Sequence, residues 1–371
     1  MVTKRVAVIM AGGAGERFWP LSRQHYPKQL LKIGGNRSML RAALERVRPL
    51  VAPEHTFVIT GRALKPAIEK AADDLPLENI VAEPEGKNTA ACLALACAYV
   101  AHRFPDEPDV VMLVLTADHF IRDVQAFAAD CTEAIGYAEK HDALVTFGIQ
   151  PDRPETGYGY IEVGEPAEGF QRVFRVKRFR EKPDLATAQE FMKAGNFWWN
   201  SGMFVWRTSV LREAFRKHLP RAYAQLDAMR DAFSSPNVAT ALATAFEPLE
   251  KISIDVAVME PASQEGKVAV VRASFDWDDI GTWSSLARLL PHDSDGNVVF
   301  GNAHLLGSQN TIAYSVGEDG CNEGPIVVGL GLKDMIVVHT PDAILVLPAS
   351  EAQRVKDVVA YLRQHGMTQY L

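Results

Sequence analysis

The sequence predicts an α/β chain: a mixed, mainly parallel sheet lying between helices, followed by a small β-helix-like C-terminal domain. Three observations predict it. Short apolar runs alternate with helical patterns through the first half of the chain. The run VVMLVLT at 110–116 is apolar without interruption, as a central strand covered on both faces must be. From about residue 293 the pattern changes to short strands broken by Gly, Asn and Asp.

Taken in order, residues 4–10 read as a strand, 38–47 as a helix, and 55–60 and 79–82 as strands. Residues 88–104 read as a helix with Asn88 or Thr89 near its cap. After the 110–116 strand come a helix over 124–140 and a strand over 143–149. From about 157 to 275 the order is more mixed. Strand-like YGYIEV and VFRVKRF precede the helical DLATAQEFMKAG, a strand over 200–207, and further helices over 209–245. No linker interrupts this stretch, so it elaborates the same domain. A helix is expected after Asp279, running to about Leu290. The tail, NVVFGNAHLLGSQNTIAYS then PIVVGLGLKDMIVVHTPDAILVLP, reads as a few rungs of a β-helix closed by a helix over 351–365. The expected division is therefore 1–290 and 291–371, the second part serving packing or subunit contact.

Composition bounds the function. With 371 residues and 47% hydrophobic content the chain can bury a large core. Its net charge of -7 argues against the broad basic surface that non-specific nucleic-acid binding needs. A phosphorylated ligand would need its cations concentrated locally. The first apolar run is only about six residues long and glycines follow at once, too short for a signal-peptide core or a membrane span. A soluble protein is expected, with no membrane partner. Cys92, Cys97, Cys131 and Cys321 form no CxxC pair, so no zinc or redox motif is present. Scattered cysteines fit a reducing cytoplasm, and those in the alanine-rich stretch read as packing residues.

After the first strand comes AGGAGERFWPLSRQHYPKQL. Gly12, Gly13 and Gly15 permit a tight loop whose N–H groups aim at one anion; a plain strand-to-helix turn is the alternative. Neither a Walker loop nor a dinucleotide fingerprint matches, because no GK[ST] occurs and Phe18 stands where a third glycine is needed. Arg17 and Lys28 add cations suited to a triphosphate, with a solvated surface pair as the alternative, and Pro20 and Pro27 stop the segment from becoming one helix.

The AGGAGERFWPLSR…PKQ stretch resembles the signature of sugar-phosphate nucleotidylyltransferases, within them the branch that activates mannose 1-phosphate with GTP. The resemblance continues through EPEGKNTAA (83–91), TADH (116–119), TGYGYIEV (156–163), FREKP (179–183), WNSGMFVW (199–206), SIDVAVME (253–260) and FDWDDIGTW (275–283). Val256 stands where the pattern has Tyr, and Leu30 where Phe is common. The resemblance implies a Rossmann-like fold of the nucleotide-diphospho-sugar transferase type. It implies an enzyme that transfers GMP from GTP to α-D-mannose 1-phosphate, giving GDP-mannose and pyrophosphate with Mg²⁺. Another sugar 1-phosphate or base, or a non-catalytic nucleotide-sugar sensor, stays open as an alternative, and a homo-oligomer is compatible with the sequence.

The resemblance also implies roles for residues. Asp118, at the end of the 110–116 strand, lies where open α/β sheets bind ligands and suits a metal ion; a helix cap is its alternative. Asp279 is the second metal ligand, whereas Asp276 and Asp278 read as capping or structural, and His119 as a supporting residue. Glu83 suits the adjacent N1–H and N2–H₂ donors of guanine, with Asn88 and Thr89 contacting ribose or base. Glu181 and Asn200 suit sugar hydroxyls, Lys182 the sugar phosphate, and Gly159 a close backbone approach to the ring. Glu181 and Lys182 are neighbours, so on a strand they would face opposite ways; Pro183 is placed to end the strand.

Overall fold

The computed structural model describes residues 3–33, 35–317 and 324–371. Val6, Ala7, Val8 and Ile9 of β1 (Lys4–Ala11) are fully buried, which is why that run carries no polar alternation. In chain order follow α1 (Met39–Val47), β2 (Thr56–Gly61), α2 (Lys65–Ala71), β3 (Ile80–Glu83), α3 (Asn88–Arg103), β4 (Val110–Thr116), α4 (Val124–Lys140) and β5 (Leu144–Ile149). Next come β6 (Tyr160–Pro166), β7 (Val173–Arg180), α5 (Leu185–Ala194), β8 (Phe197–Arg207), α6 (Thr208–His218), α7 (Pro220–Ala232), α8 (Val238–Phe246), α9 (Glu260–Gln264) and β9 (Val268–Arg272). Local chemistry sets several boundaries. Asp123 caps α4 by accepting from the Ala126 N–H, and Asp184 caps α5 through the Thr187 N–H. Gly195, at φ 72°, ends α5.

These nine strands form one mixed sheet in the order β3-β2-β1-β4-β8-β5-β9-β7-β6. It is parallel from β3 to β4, and β8 then enters antiparallel to both β4 and β5. The carboxyl ends of the parallel half carry Gly12, Glu83 and Thr116.

The chain folds as two compact units. The first contains β1 with Gly12, then Ala43–Ala117 and Ile121–Trp277. The second contains Gly13–Ala42, Asp118–Phe120 and Asp278–Leu371. It comprises α10 (Leu286–Leu289), β10 (Val298–Gly301), β11 (Ala303–Leu306), β12 (Ile312–Ser315), β13 (Val327–Leu330), β14 (Met335–Thr340), β15 (Ala343–Pro348) and α11 (Val355–Gln364). Strands β10, β12 and β14 stack in parallel, as do β11 and β13, which is the rung pattern expected of the tail. Asn297 ties successive rungs, donating to the Ser308 carbonyl and accepting from the Thr311 N–H. The core of this unit is not made by the tail alone. Phe18, Trp19 and Leu31 from the glycine-loop segment are buried with Trp283, Ile312, Tyr314 and Ile336. The compact units thus cross the division expected near residue 290, because the apolar residues of that segment find their partners in the tail.

Two local expectations are corrected. The helix expected from Asp279 to Leu290 is a single turn at Trp283–Ser285 followed by the four residues of α10. Thr282 and Ser285 cap each other reciprocally, so the helix starts late, and Pro291 disfavours its continuation beyond Leu290. Asn88 and Thr89 open α3 directly after its cap residue Lys87, near the cap as expected; Asn88 has φ 70°, and its side chain accepts from the neighbouring Thr89 N–H. The closing helix begins only at Val355, after a looser turn over Ala349–Arg354. Cys321 lies outside the described residues. Cys92, Cys97 and Cys131 are buried free thiols; burial pushes Cys97 up to about 12 and the other two well above the usual thiol range.

Candidate active site

In the second unit the glycine loop turns on Gly15 at φ 67°, where a side chain would overlap the Cβ of Lys28. The Ser22 hydroxyl closes the turn by donating to the Gly15 carbonyl at 2.7 Å. Lys28 is thereby packed in, only 6% exposed, and its ammonium donates to Asp118 Oδ2 at 2.8 Å and to the Asp279 carbonyl at 2.6 Å. Burial alone would push the Asp118 carboxyl up. The Lys28 ammonium and His119 override it and hold Asp118 below the usual carboxylate range. One buried ammonium therefore links the segment carrying Asp118 to the one carrying Asp279.

Among the described residues no three His, Cys, Asp or Glu side chains are arranged to hold a metal ion. The two acids expected to hold a metal, Asp118 and Asp279, would offer hard carboxylate oxygen. It fits an ion such as Mg²⁺, which keeps several waters and takes one or two carboxylates plus phosphate oxygens. Asp276 and Asp278 have other work. Asp276 accepts from the Arg122 and Asp123 N–H groups in the first unit. Asp278, 7% exposed, pairs with Arg288 at 2.8 Å in the second. Arg17 is exposed, and its Nη1 donates to Gln353 Oε1 at 3.0 Å.

In the first unit, Glu83 ends β3 at 6% exposure, with Oε2 3.2 Å from the place a Cβ on Gly12 would take. Its Oε1 is buried and accepts no hydrogen bond. Burial pushes this carboxyl up to about 7. An unsatisfied carboxyl oxygen in a buried place is costly, and it can accept from a donor-bearing ligand. Gly12 thus has two uses: its missing side chain leaves room for Glu83 as well as freeing the loop. Asn88 and Thr89 open α3, and the Thr89 hydroxyl oxygen accepts from the Ile254 N–H at 2.9 Å.

The sugar-reading candidates also gather in the first unit. Strand β7 stops at Arg180, and Lys182 takes φ 44°, so Glu181 and Lys182 leave the strand alternation. They turn toward each other and form an ion pair. Glu181 Oε2 occupies the space a Cβ on Gly159 would need, 2.6 Å away. Gly159 therefore admits a carboxylate beside the backbone, in the room that the sequence predicts for the sugar ring. The Gly159 carbonyl also accepts from the Asn200 N–H at 2.8 Å. The Asn200 side chain, 8% exposed, bonds Thr146 at 2.7 Å and Asp255 at 2.9 Å.

Two acids here carry no role that the sequence alone assigns. Asp255 holds Asn200, and Glu260 Oε1 accepts from the Glu181 N–H at 2.7 Å. Both lie in SIDVAVME, and the available signal is a pair of acids in an otherwise apolar stretch. Residues Asp255–Met259 form a π-helix, a wide turn that recurs at functional sites.

The first unit is an α/β fold with glycine and carboxylate at the carboxyl ends of its parallel strands, where such folds bind ligands, and the second holds a buried lysine–aspartate link beside a glycine loop. The chain belongs to the nucleotidyl transferase family, whose model matches residues 6–296. A second model, the MannoseP isomerase/GMP-like beta-helix domain, matches residues 301–362. The mannose-1-phosphate guanylyltransferase of Escherichia coli (strain K12) is 39% identical over 98% of this chain and 74% of its own. The alginate biosynthesis protein AlgA of Pseudomonas aeruginosa is 36% identical over 98% of this chain and 73% of its own. A solved structure described as mannose-1-phosphate geranyltransferase, from Thermus thermophilus, superposes with TM-score 0.84 at 34% identity, covering 97% of this chain and all of that one. Among the described residues no helix is long and apolar enough to cross a membrane.

Proposed function

We propose that this chain transfers GMP from GTP to α-D-mannose 1-phosphate, giving GDP-mannose and pyrophosphate. Membership of the nucleotidyl transferase family and the guanylyltransferase relatives support the reaction class. The single observation that carries the guanine preference is the buried, unsatisfied Glu83 carboxyl beside Gly12. Guanine offers two adjacent donors to such an acceptor, whereas adenine offers only one there.

The sugar phosphate oxygen attacks the α-phosphorus in line and pyrophosphate departs on the opposite side. The attacking oxygen is already ionised at neutral pH, so no protein nucleophile is required. Catalysis then reduces to positioning and charge neutralisation. Gly12, Gly13 and Gly15 direct backbone N–H groups to the triphosphate. Arg17 supplies an exposed cation for charge developing on the leaving pyrophosphate, and Lys28 a buried one. Lys182 neutralises the sugar phosphate, while Glu181 and Asn200 bond hydroxyls and Asn88 and Thr89 steady the nucleoside. A divalent cation held by Asp118 and Asp279, Mg²⁺ in our reading, supplies further charge neutralisation when bound.

In this reading 1–290 is the nucleotidyltransferase module and 291–371 a small β-rich module that braces the glycine loop. Buried reduced thiols suit the cytoplasm, which cell fractionation checks. Pyrophosphate release across a grid of GTP, ATP, UTP and dTTP against several hexose 1-phosphates tests the reaction. GTP with mannose 1-phosphate should give the highest kcat/KM, and a higher value for any other pair would overturn the assignment.

A further inference from the structure

The Asn200 amide is held at both ends, and that is more than a hydroxyl-binding side chain requires. Its oxygen faces the Thr146 hydroxyl at 2.7 Å, and its NH₂ donates to Asp255 Oδ1 at 2.9 Å. Thr146 has one hydroxyl hydrogen and two acceptors in reach, the Asn200 oxygen and the Met203 carbonyl at 2.9 Å. It can serve only one of them. Which one depends on the amide, and the amide depends on Asp255. An ionised Asp255 only accepts, so it demands the NH₂ end of Asn200, and Thr146 then donates to the Asn200 oxygen. A protonated Asp255 can itself donate to an amide oxygen, which lets the amide reverse and lets Thr146 turn to Met203.

We infer that Asp255 is a positioning residue for the sugar phosphate: its negative charge holds the Asn200 amide in one orientation, leaving one N–H of fixed direction for a sugar hydroxyl. The same turn backs the other sugar candidate, since Glu260 accepts from the Glu181 N–H at 2.7 Å. The inference rests on the proposed reading of Asn200 as a sugar ligand.

The surroundings make the charge on Asp255 sensitive to solution conditions. Burial and the Glu181 carboxylate push Asp255 up to about 7, against the Lys182 ammonium and the Asn200 amide, which favour the anion. Both charged neighbours come from the segment after β7, and Glu260 on the Asp255 turn is bonded to the Glu181 backbone. A bound sugar phosphate would add a negative charge near Lys182. Below neutral pH the amide should lose its fixed orientation and the sugar phosphate its affinity.

The test compares Asp255→Asn and Asn200→Ala with the wild type, reading KM for mannose 1-phosphate and for GTP from pH 6 to 8.5. Loss of a bond to a charged group predicts that Asp255→Asn raises KM for the sugar phosphate about tenfold or more at pH 8. KM for GTP should move less than about twofold, and the wild-type rise in sugar-phosphate KM at low pH should flatten. Asn200→Ala should raise the same KM. If Asn200→Ala does so and Asp255→Asn does not, the positioning role is overturned while the sugar reading stands. If Asn200→Ala has no effect, the sugar reading itself fails. A measurement on the unaltered protein guards against misfolded variants. The Asn200 side-chain NH₂ signals, identified by their loss in Asn200→Ala, should shift with pH about a midpoint near neutrality in selectively ¹⁵N-labelled enzyme. Signals that stay fixed while the Asp255 carboxyl itself titrates would overturn the inference.

Discussion

Glu83 is a carboxyl held largely out of water, and its behaviour with pH follows. Its folded-state pKa lies near 7, above the ordinary carboxyl value of 4.5. Below about 4.5 the group is neutral in both states and costs nothing. Between 4.5 and 7 only the folded state keeps the proton, so stability falls as pH rises, and above 7 the full penalty of roughly 3 kcal/mol is present. Glu83→Gln should therefore be more stable than the wild type at pH 8, with the difference vanishing toward pH 4.5, as thermal melts across pH would reveal. The same substitution faces a donor with a donor, so GTP-over-ATP selectivity should drop by about one to two orders of magnitude. Unchanged selectivity would mean that backbone groups read the base. Arg17 is exposed, and its guanidinium reaches Gln353. Arg17→Ala should lower kcat about 10²–10³-fold while GTP affinity falls less, and Arg17→Lys should recover part of the loss. A change in KM alone would make Arg17 a substrate clamp.

At the scale of elements, the glycine loop and Lys28 behave as one piece. Gly15 holds a positive φ against the Lys28 stem, and Lys28 in turn links Asp118 to the Asp279 backbone. Gly15→Ala adds a left-handed penalty of about 1–2 kcal/mol and a steric overlap. It should lower the melting temperature and displace the ammonium, so kcat should fall by more than the loss of stability explains. Wild-type kcat in a folded variant would sever that link. The Asp279 side chain can be tested apart from its carbonyl. Asp279→Asn keeps the backbone contact to Lys28, so the fold should persist while the divalent-ion concentration for half-maximal turnover rises at least about tenfold. Full activity at limiting metal would remove Asp279 from the metal site.

At the scale of the molecule, the tail and the glycine loop share a core. Phe18, Trp19 and Leu31 are buried with residues of β12 and β14, and the Trp19 indole donates to the Tyr370 carbonyl at 2.7 Å. Arg23 reaches Asp342 at 2.7 Å. A chain ended at residue 290 loses these partners and exposes those side chains. It should retain the nine-stranded sheet by circular dichroism but lose more than about 10²-fold in turnover, because the loop carrying Arg17 and Lys28 no longer has its support. A truncated chain with near-normal kcat would show that the loop stands unaided.

By itself the sequence determined the strand–helix alternation, because buried strands must be apolar and helix faces periodic whatever lies around them. Elements such as β1, β4 and α4 were legible to within a residue or so. Its resemblance to the sugar-phosphate nucleotidylyltransferases also singled out Glu83, Asp118, Glu181 and Asn200. Only the tertiary structure decided what those groups touch. The pairing of Lys28 with Asp118 spans 90 positions. The bond between Asn200 and Asp255 spans 55, and that between Glu181 and Glu260 spans 79. The allocation of the glycine loop to the core of the tail spans almost the whole chain. Local periodicity carries no information about such contacts, because they depend on how separated segments share a limited buried volume. That sharing sets which polar groups are desolvated, and so which carboxyls, Glu83 and Asp255 among them, titrate near neutrality.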